Sequence, residues 1–281
     1  MGIKLGVNAY GKNAVNLSKI IRHKDHHEFR QISVNVALEG DFETAHTLGD
    51  NTKILPTDTQ KNTVYALAKE HFTSSIESFG IYLSEYFTSN NPQIAKTKIE
   101  ITEYCWNRMI IDGIPHAHSF INGGSEKHTA VIIQNKKGIT LSSGIKDLLI
   151  LKTSDSAFEN YPKDKYTTLK ETSDRIFGTQ CEVIWEYVST GLNFTELYND
   201  IRARLLKTFS AHRSLSVQHT LYAMGEDVLK EFTDVKEITI KMPNKHHLLA
   251  NLEPFAMENK NEIFIATDEP YGFITGTITR E

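Results

Sequence analysis

The amino-acid sequence predicts an α+β protein in which strands outnumber helices. Three segments alternate apolar and polar residues, as half-buried strands of an antiparallel sheet do: 28–42, 96–109 and 236–242. Helical spacing of apolar residues fills a region from about 62 to 89, and two further helices are expected at about 194–212 and 216–232. Strands and helices that come in separate runs are typical of the α+β class.

An internal echo in the sequence predicts two halves built on one plan. KNTVYALAKEH at 61–71 and QHTLYAMGEDV at 218–228 share the pattern Thr-x-Tyr-Ala. The first is followed by a predicted strand after a second helical stretch, and the second is followed by a predicted strand. If both halves carry helices on one face of a sheet that continues through them, the other face needs a cover. We therefore expect a second subunit on that face.

Composition predicts a large core and argues against several classes of protein. A chain of 281 residues, 40% of them hydrophobic, can bury roughly three quarters of its unfolded surface. The formal charge of −4 argues against binding that depends on neutralising many phosphates. Two cysteines, Cys105 and Cys181, provide neither a disulfide framework nor a CxxC ligand pair, which fits a reducing compartment.

The two ends of the chain favour a cytoplasmic protein. The beginning, MGIKLGVNAYGKNAV, lacks the apolar stretch of a secretory signal, and no run of about 20 apolar residues occurs. The chain ends in TITRE, which is not a peroxisomal Ser-Lys-Leu type signal.

Several polar motifs lie where helices are expected to start, and helix capping alone accounts for them. Thr57 and Asp58 approach the first helix, Thr168 and Glu171 fit a capping box, and Gln218 lies at another helix start. The run Asn244-Lys245-His246-His247 after a strand is different. Its nitrogen bases suit metal binding, nucleic-acid contact or proton transfer, and the run alone does not decide among them.

Five motifs occur in the order typical of one family: YGK (10–12), TDTQKNTVY (57–65), YTTLKETSDR (166–175), SVQHTLY (216–222) and PNKHH (243–247). From Tyr10 to the closing EPYGFITGTITR, the chain resembles the cofactor-independent urate oxidases. The resemblance implies a tandem tunnelling fold with two antiparallel sheet-and-helix units, expected at 1–138 and 139–281. It also implies a homotetrameric barrel, with urate and O2 as substrates and with no cofactor or metal.

The resemblance implies a proton relay of Lys12, Thr57 and His246. Urate must lose a proton from an already anionic ring before oxygen can accept its electrons, and a lysine acts as base only where its surroundings favour the neutral amine. The hydroxyl of Thr57 both accepts and donates, so it can pass the proton between the other two groups. Asn244, with Thr57, is expected to hold oxygen or a water above the ring. Similarity leaves the duties of Lys245 and His247 undefined.

The resemblance also implies the groups that bind urate. Arg175 and Gln218 are expected to grip its edge, and Phe158 to stack under the ring. Backbone at Val217 and Asp58 would add hydrogen bonds. The products would be 5-hydroxyisourate and hydrogen peroxide.

The implied site is shared between subunits, and one loop departs from the family. We expect one chain to contribute Lys12, Thr57, Asp58 and His246. Its neighbour is expected to contribute Phe158, Arg175, Val217 and Gln218. The loop after Phe158 differs from many relatives in carrying Glu159, Asn160 and Lys163.

Two other functions fit parts of the sequence. A metal-dependent pterin-type enzyme of the same fold group would use histidines as ligands, the candidates being His116, His118, His246 and His247. A uricase-like binding protein without catalysis is the other alternative, and the presence of Lys12, Thr57 and His246 argues against it.

Overall fold

The computed structural model describes residues 2–280 and confirms the α+β prediction. The chain divides into two compact units, Met1–Gly144 with Glu186–Tyr198, and Ile145–Trp185 with Asn199–Glu281. None of the described helices is long and apolar enough to cross a membrane.

The first unit combines an antiparallel sheet with three helices. Its elements are β1 (Tyr10–Arg22), β2 (His27–Gly40), α1 (Glu43–Thr47), α2 (Thr57–His71), α3 (Ile76–Asn90), β3 (Ile94–Ile111), β4 (Ile114–Asn135) and the first part of β5 (Gly138–Lys152). The strands are ordered β1-β2-β3-β4-β5. Alternate β2 residues Val34, Val36 and Leu38 are fully buried, as the sequence alternation predicts.

The second unit contains the rest of β5, most of β6 (Phe177–Tyr187), and most of α4 (Phe194–Ala211). It continues with α5 (Val217–Glu231), β7 (Val235–Lys241), β8 (Asn244–Leu249), a 3-10 turn (Glu253–Phe255), β9 (Phe264–Thr267) and β10 (Thr275–Thr279). Strand order within this unit is β5-β6-β7-β10, and β8 pairs with β6 and β9. The strand predicted at 236–242 is β7.

The helix predicted at 62–89 is two helices, and this changes how the halves correspond. A break at 72–75 separates α2 from α3, because the side chain of Ser75 caps α3 by accepting from the N–H of Ser78 at 3.1 Å. Ser216 caps α5 in the same way. Both capped helices have 15 residues and precede a strand, so α5 corresponds to α3. The shared Thr-x-Tyr-Ala lies in α2 and α5, which are not corresponding helices. The sequence echo therefore aligns the two halves incorrectly.

Each of these capped helices touches its sheet through a glycine. A Cβ on Gly80 of α3 would lie 2.2 Å from Ile132 Cδ1, and one on Gly225 of α5 would lie 2.5 Å from Ile278 Cδ1. These contacts bring α3 close to β4 and α5 close to β10. The N-termini of the helices are thereby fixed relative to their own sheets.

Candidate functional site

A cavity of about 320 Å³ lies in the second unit, a volume within the usual range for small-molecule sites. Its walls come from the loop before β6, the start of α5 and the strand β8. Six residues expected at the site line it: Phe158, Arg175, Val217, Gln218, Asn244 and His246.

Arg175 provides the cavity with a cation that no acidic side chain among the described residues neutralises. Within residues 2–280 its guanidinium forms no ion pair, and its carbon lies 5.2 Å from the centre of the Phe158 ring. Burial lowers the pKa of Arg175, although the nearby Tyr161 acts in the opposite direction. A partly buried guanidinium beside an aromatic face suits a flat anionic ligand.

Backbone hydrogen bonds fix the Phe158 ring, and a second aromatic residue supports it. Phe158 and Thr172 exchange backbone hydrogen bonds of 2.8 and 3.1 Å. The ring of Tyr161 stacks on Phe158 at 4.8 Å between centroids and 15° between planes. Phe158 therefore has one face against Tyr161 and is held as a platform.

The loop that departs from the family is organised by Glu171. Its carboxylate accepts from the backbone N–H of Asn160 at 3.1 Å and pairs with Lys163 at 3.1 Å. No helix begins there among the described residues, so the capping box expected for Thr168 and Glu171 is wrong. Two of the three unusual residues, Asn160 and Lys163, are the partners of Glu171.

The N-terminus of α5 presents unpaired backbone donors beside the cavity. Ser216 Oγ accepts from the N–H of His219 at 3.1 Å, and the N–H of Thr220 bonds to the Ser216 carbonyl. The N–H groups of Val217 and Gln218, in the first turn, remain free of the helix ladder. Together with the exposed Gln218 amide they favour an anion at this point.

Strand β8 brings the Asn244–His247 run to the cavity. Asn244 and Lys245 pair with β6, whereas His246 and His247 pair with β9. Lys245 forms an ion pair with Asp268 at 2.8 Å, and a ring nitrogen of His247 lies 3.2 Å from the Lys245 carbonyl. Lys245 and His247 therefore have local partners. Within residues 2–280, the side chain of His246 has none.

Lys12, Thr57 and Asp58 lie in the first unit, where α2 contacts β1. Asp58 forms a hydrogen-bonded ion pair with Lys61, which lowers the pKa of the Asp58 carboxyl; the charge of Lys12 contributes in the same direction. Lys12 is thus close enough to act electrostatically on the start of α2. Pro56, rather than Thr57, occupies the N-cap position, so the Thr57 hydroxyl is not used as a helix cap.

The strand around Lys12 is irregular. A Cβ on the preceding Gly11 would lie 1.7 Å from the carbonyl oxygen of Val36, so only glycine fits there. The pairing of β1 with β2 then shifts between Lys12 and Val15, where Ala14 adopts a φ of 54°. This bulge re-aims the strand next to Lys12.

The structure divides the expected site residues differently from the sequence-based expectation. His246 was grouped with Lys12 and Thr57, on one side of a shared site. It lines the same cavity as Arg175 and Gln218, on β8 of the second unit. The expected grouping of His246 is therefore wrong, because β8 pairs with the strand that follows the Arg175 loop.

The histidines weighed as metal ligands do not form one cluster among the described residues. Among the described residues, one group of three or more potential ligands lies within reach of a single ion. That group includes none of the four candidate histidines, which are His116, His118, His246 and His247. The first two belong to β4 and the last two to β8.

Sequence reasoning missed part of the cavity wall. Tyr161 supports Phe158, and further lining comes from Lys170, Thr172, Ile176 and Ile274. The spacing Phe-x-x-Tyr was a usable signal for the aromatic pair. The other residues come from separate elements, and no local pattern in the sequence connects them.

Comparison with known proteins gives a consistent result. A family model described as Uricase matches residues 8–133 and 141–275. The chain is 40% identical over 279 residues to a uricase of Arthrobacter globiformis, an alignment covering 99% of this chain and 91% of that protein. It is 39% identical over 300 aligned positions to a uricase of Arabidopsis thaliana, covering 99% and 96%.

Solved structures show the same likeness. The crystal structure of the Arthrobacter globiformis uricase matches with a TM-score of 0.95 and 40% identity, covering 100% of this chain and 96% of that one. A urate oxidase structure from Bacillus sp. TB-90 matches with a TM-score of 0.86 at 23% identity, covering 98% of this chain and 100% of that one, which shows a shared fold.

Proposed function

The chain belongs to the uricase family, and from this premise we propose that it oxidises urate with O2 and water to 5-hydroxyisourate and hydrogen peroxide, in purine catabolism. The reaction balances, since urate loses two electrons and gains a hydroxyl from water while O2 takes up two electrons and two protons. The observation that carries the proposal is the Arg175 guanidinium, placed over Phe158 in the cavity without an acidic partner among residues 2–280.

Urate binds in the cavity of the second unit. Its flat ring stacks on Phe158, beside the Arg175 guanidinium. Arg175 offers a planar fork to a carbonyl and an anionic nitrogen, and the Gln218 amide supplies one donor and one acceptor. The free N–H of Val217, at the positive end of α5, adds a hydrogen bond.

Lys12, Thr57 and His246 move the proton that urate must lose. The Thr57 hydroxyl is free for this because Pro56 holds the cap position. The His246 ring lines the urate cavity and has no side-chain partner among residues 2–280. The backbone of Asp58, beside Thr57 at the start of α2, contacts urate.

Oxygen reacts above the urate ring beside Asn244 and Thr57. The Asn244 amide provides both a donor and an acceptor, which suits O2, peroxide and water in turn. Urate stripped of a second proton is electron-rich enough to reduce oxygen itself. The reaction therefore uses neither a metal nor an organic cofactor.

The site is completed between two chains of a homotetramer. One chain supplies Lys12, Thr57 and Asp58, and its neighbour supplies the six residues of the cavity. The grouping of His246 with Arg175 is supported by the cavity that both residues line. Neither group alone holds urate against a base.

The direct test follows the ultraviolet absorbance of urate with purified protein in metal-free, chelator-treated buffer under air. We expect urate to disappear with one O2 consumed and one hydrogen peroxide formed per urate. An unchanged absorbance would contradict the proposed function. Turnover that a chelator abolishes and Zn²⁺ restores would contradict the cofactor-free chemistry.

A further inference from the structure

The tip of the β1–β2 hairpin brings together two histidines in a hydrogen-bonded turn. His23 and His26 are the first and last residues of the four-residue turn, which closes when the His23 N–H donates to the His26 carbonyl at 2.9 Å. Their rings stack at 4.5 Å between centroids and 20° between planes. Strand pairing from Arg22 and His27 onward holds both ends of the turn. The backbone thus fixes the separation of the two Cα atoms, from which both rings reach the same side of the turn.

Two carboxylates lie against these rings. Glu28 Oε1 is 2.6 Å from His23 Nε2, and Asp25 Oδ1 is 2.8 Å from His26 Nδ1. One ligand atom from each of His23, His26 and Glu28 lies within 4.8 Å of the others. Such a set of two imidazoles and a carboxylate is chemically suited to a borderline divalent metal ion.

We propose that His23, His26 and Glu28 bind a Zn²⁺ ion at this hairpin tip, with water in the remaining position. Zn–N and Zn–O bonds of about 2.0–2.1 Å place tetrahedral ligand atoms about 3.4 Å apart. His23 Nε2 and Glu28 Oε1, now 2.6 Å apart, therefore separate slightly, and ligand atoms that are up to 4.8 Å apart approach each other. Asp25 holds Nδ1 of His26 and leaves Nε2 for the metal, the carboxylate–histidine arrangement that orients zinc ligands.

The proposed zinc site shares no residue with the groups assigned to urate chemistry. Lys12 lies near the other end of β1, ten residues and about 30 Å along the strand from Arg22. The ion would replace the proton that His23 and Glu28 now share, and would cross-link the turn. Its test needs no urate and stands whether or not the protein oxidises urate.

Calorimetric titration of metal-free, full-length protein with Zn²⁺ at pH 7.5 tests the site. We expect one equivalent per chain, weaker binding at pH 5.5 because protons compete for the imidazoles, and at least about 10-fold loss of affinity in His23→Ala/His26→Ala. Glu28→Gln removes the anionic ligand and should weaken binding while keeping the turn.

The matched control is His116→Ala/His118→Ala, which removes two histidines of the β3–β4 hairpin whose rings pack edge-to-face at 4.7 Å between centroids. That control should bind Zn²⁺ as tightly as the wild type. No zinc uptake by the wild type would overturn the proposal. Equal affinity in the wild type and the His23→Ala/His26→Ala protein would also overturn it. Circular dichroism of each variant is the control for folding.

Discussion

The hydroxyl of Tyr10 accepts a hydrogen bond from the backbone N–H of Leu55 at 2.9 Å. Tyr10 lies two residues before Lys12 on β1, and Leu55 lies two residues before Thr57 at the start of α2. The ring of Tyr10 packs edge-on against Phe42, with 4.8 Å between centroids. One side chain therefore couples the strand that carries the proposed base to the helix that carries the proposed relay hydroxyl.

Tyr10→Phe should lower kcat by about 10-fold while changing KM for urate little. The variant leaves the Leu55 N–H unpaired, and displacements below 1 Å at a relay are costly. The binding cavity lies in the second unit and stays intact. Steady-state kinetics measures the split. Tyr86→Phe, which alters an exposed tyrosine of α3, is the control and should match the wild type.

Lys12→Met should reduce turnover by at least about 10²-fold, the usual scale for loss of a positioned acid or base. A urate analogue should still bind, because Arg175 and Gln218 are untouched. The rate of urate disappearance measures turnover, and equilibrium titration with the analogue measures binding. Lys69→Met removes an exposed lysine of α2 and should leave both unchanged. Near-normal turnover of the Lys12 variant would exclude the relay.

Arg175→Lys should weaken binding of a urate analogue by about 10-fold or more although the charge is retained. A lysine cannot reproduce the planar fork, and one charge-assisted hydrogen bond is worth about 1.5–3 kcal/mol. Equilibrium titration measures the affinity. The control is Arg22→Lys at the exposed end of β1, which should bind normally. Equal affinities would contradict the assignment of Arg175.

A buried charge cluster in the first unit predicts how stability depends on pH. Arg30 pairs with Glu103 at 2.7 Å, while His128 bonds to Glu77 at 2.7 Å. Burial alone would raise the pKa of Glu103, but the His128 ring, 3.7 Å away, and the hydrogen bonds and charge of Arg30 outweigh it and lower the pKa to about 2. Burial would lower the pKa of His128, and the two carboxylates raise it instead.

The pKa of Glu103 is lowered and that of His128 is raised, so the two groups stabilise the fold over different pH ranges. The contribution of Glu103 is complete above its unfolded value of 4.5 and is lost as pH falls from there toward 2. The contribution of His128 is present below 6.5 and is lost as pH rises through its raised folded pKa. Wild-type Tm should therefore fall both below about pH 4.5 and on the alkaline side of neutrality.

Glu103→Gln should destabilise the protein by about 3 kcal/mol near pH 6, since it leaves the half-buried Arg30 without its carboxylate partner and removes one of the two carboxylates around His128. The difference in Tm from the wild type should shrink between pH 4.5 and pH 3. Glu39→Gln, which breaks a more exposed pair with Lys96, should cost about 1 kcal/mol or less. A Tm difference that stays constant from pH 6 to pH 3 would contradict the role of Glu103.

Much of the fold was accessible from local patterns. The alternation at 28–42 corresponds to β2, and the helix expected at 216–232 is α5, because both signals come from one buried face per element. The family fold implied by the ordered motifs is confirmed by the match to uricase crystal structures. The break between α2 and α3 was missed because apolar spacing continues through Phe72 and the Ser75 cap interrupts it only once.

The site was harder to predict because its members meet through non-local pairing. Arg175 and Gln218 were found from ordered motifs, yet the grouping of His246 depends on β8 pairing with β6, which no local spacing encodes. The same holds for Tyr161, whose role becomes clear only when the loop folds back through Thr172. The sequence shows which side chains can bind or react. Which of them come together depends on the strand pairing, which the sequence does not show.

The most direct test of the shared site mixes two inactive proteins, Lys12→Met/Thr57→Ala and Arg175→Ala/Gln218→Ala, and allows their subunits to exchange. In a mixed pair of chains one site collects all four changes and the other collects none. Half of randomly formed pairs are mixed, so turnover should recover to about a quarter of the wild-type rate if sites act independently. Demonstrated exchange of subunits without any recovery of urate oxidation would show that each chain builds its own site.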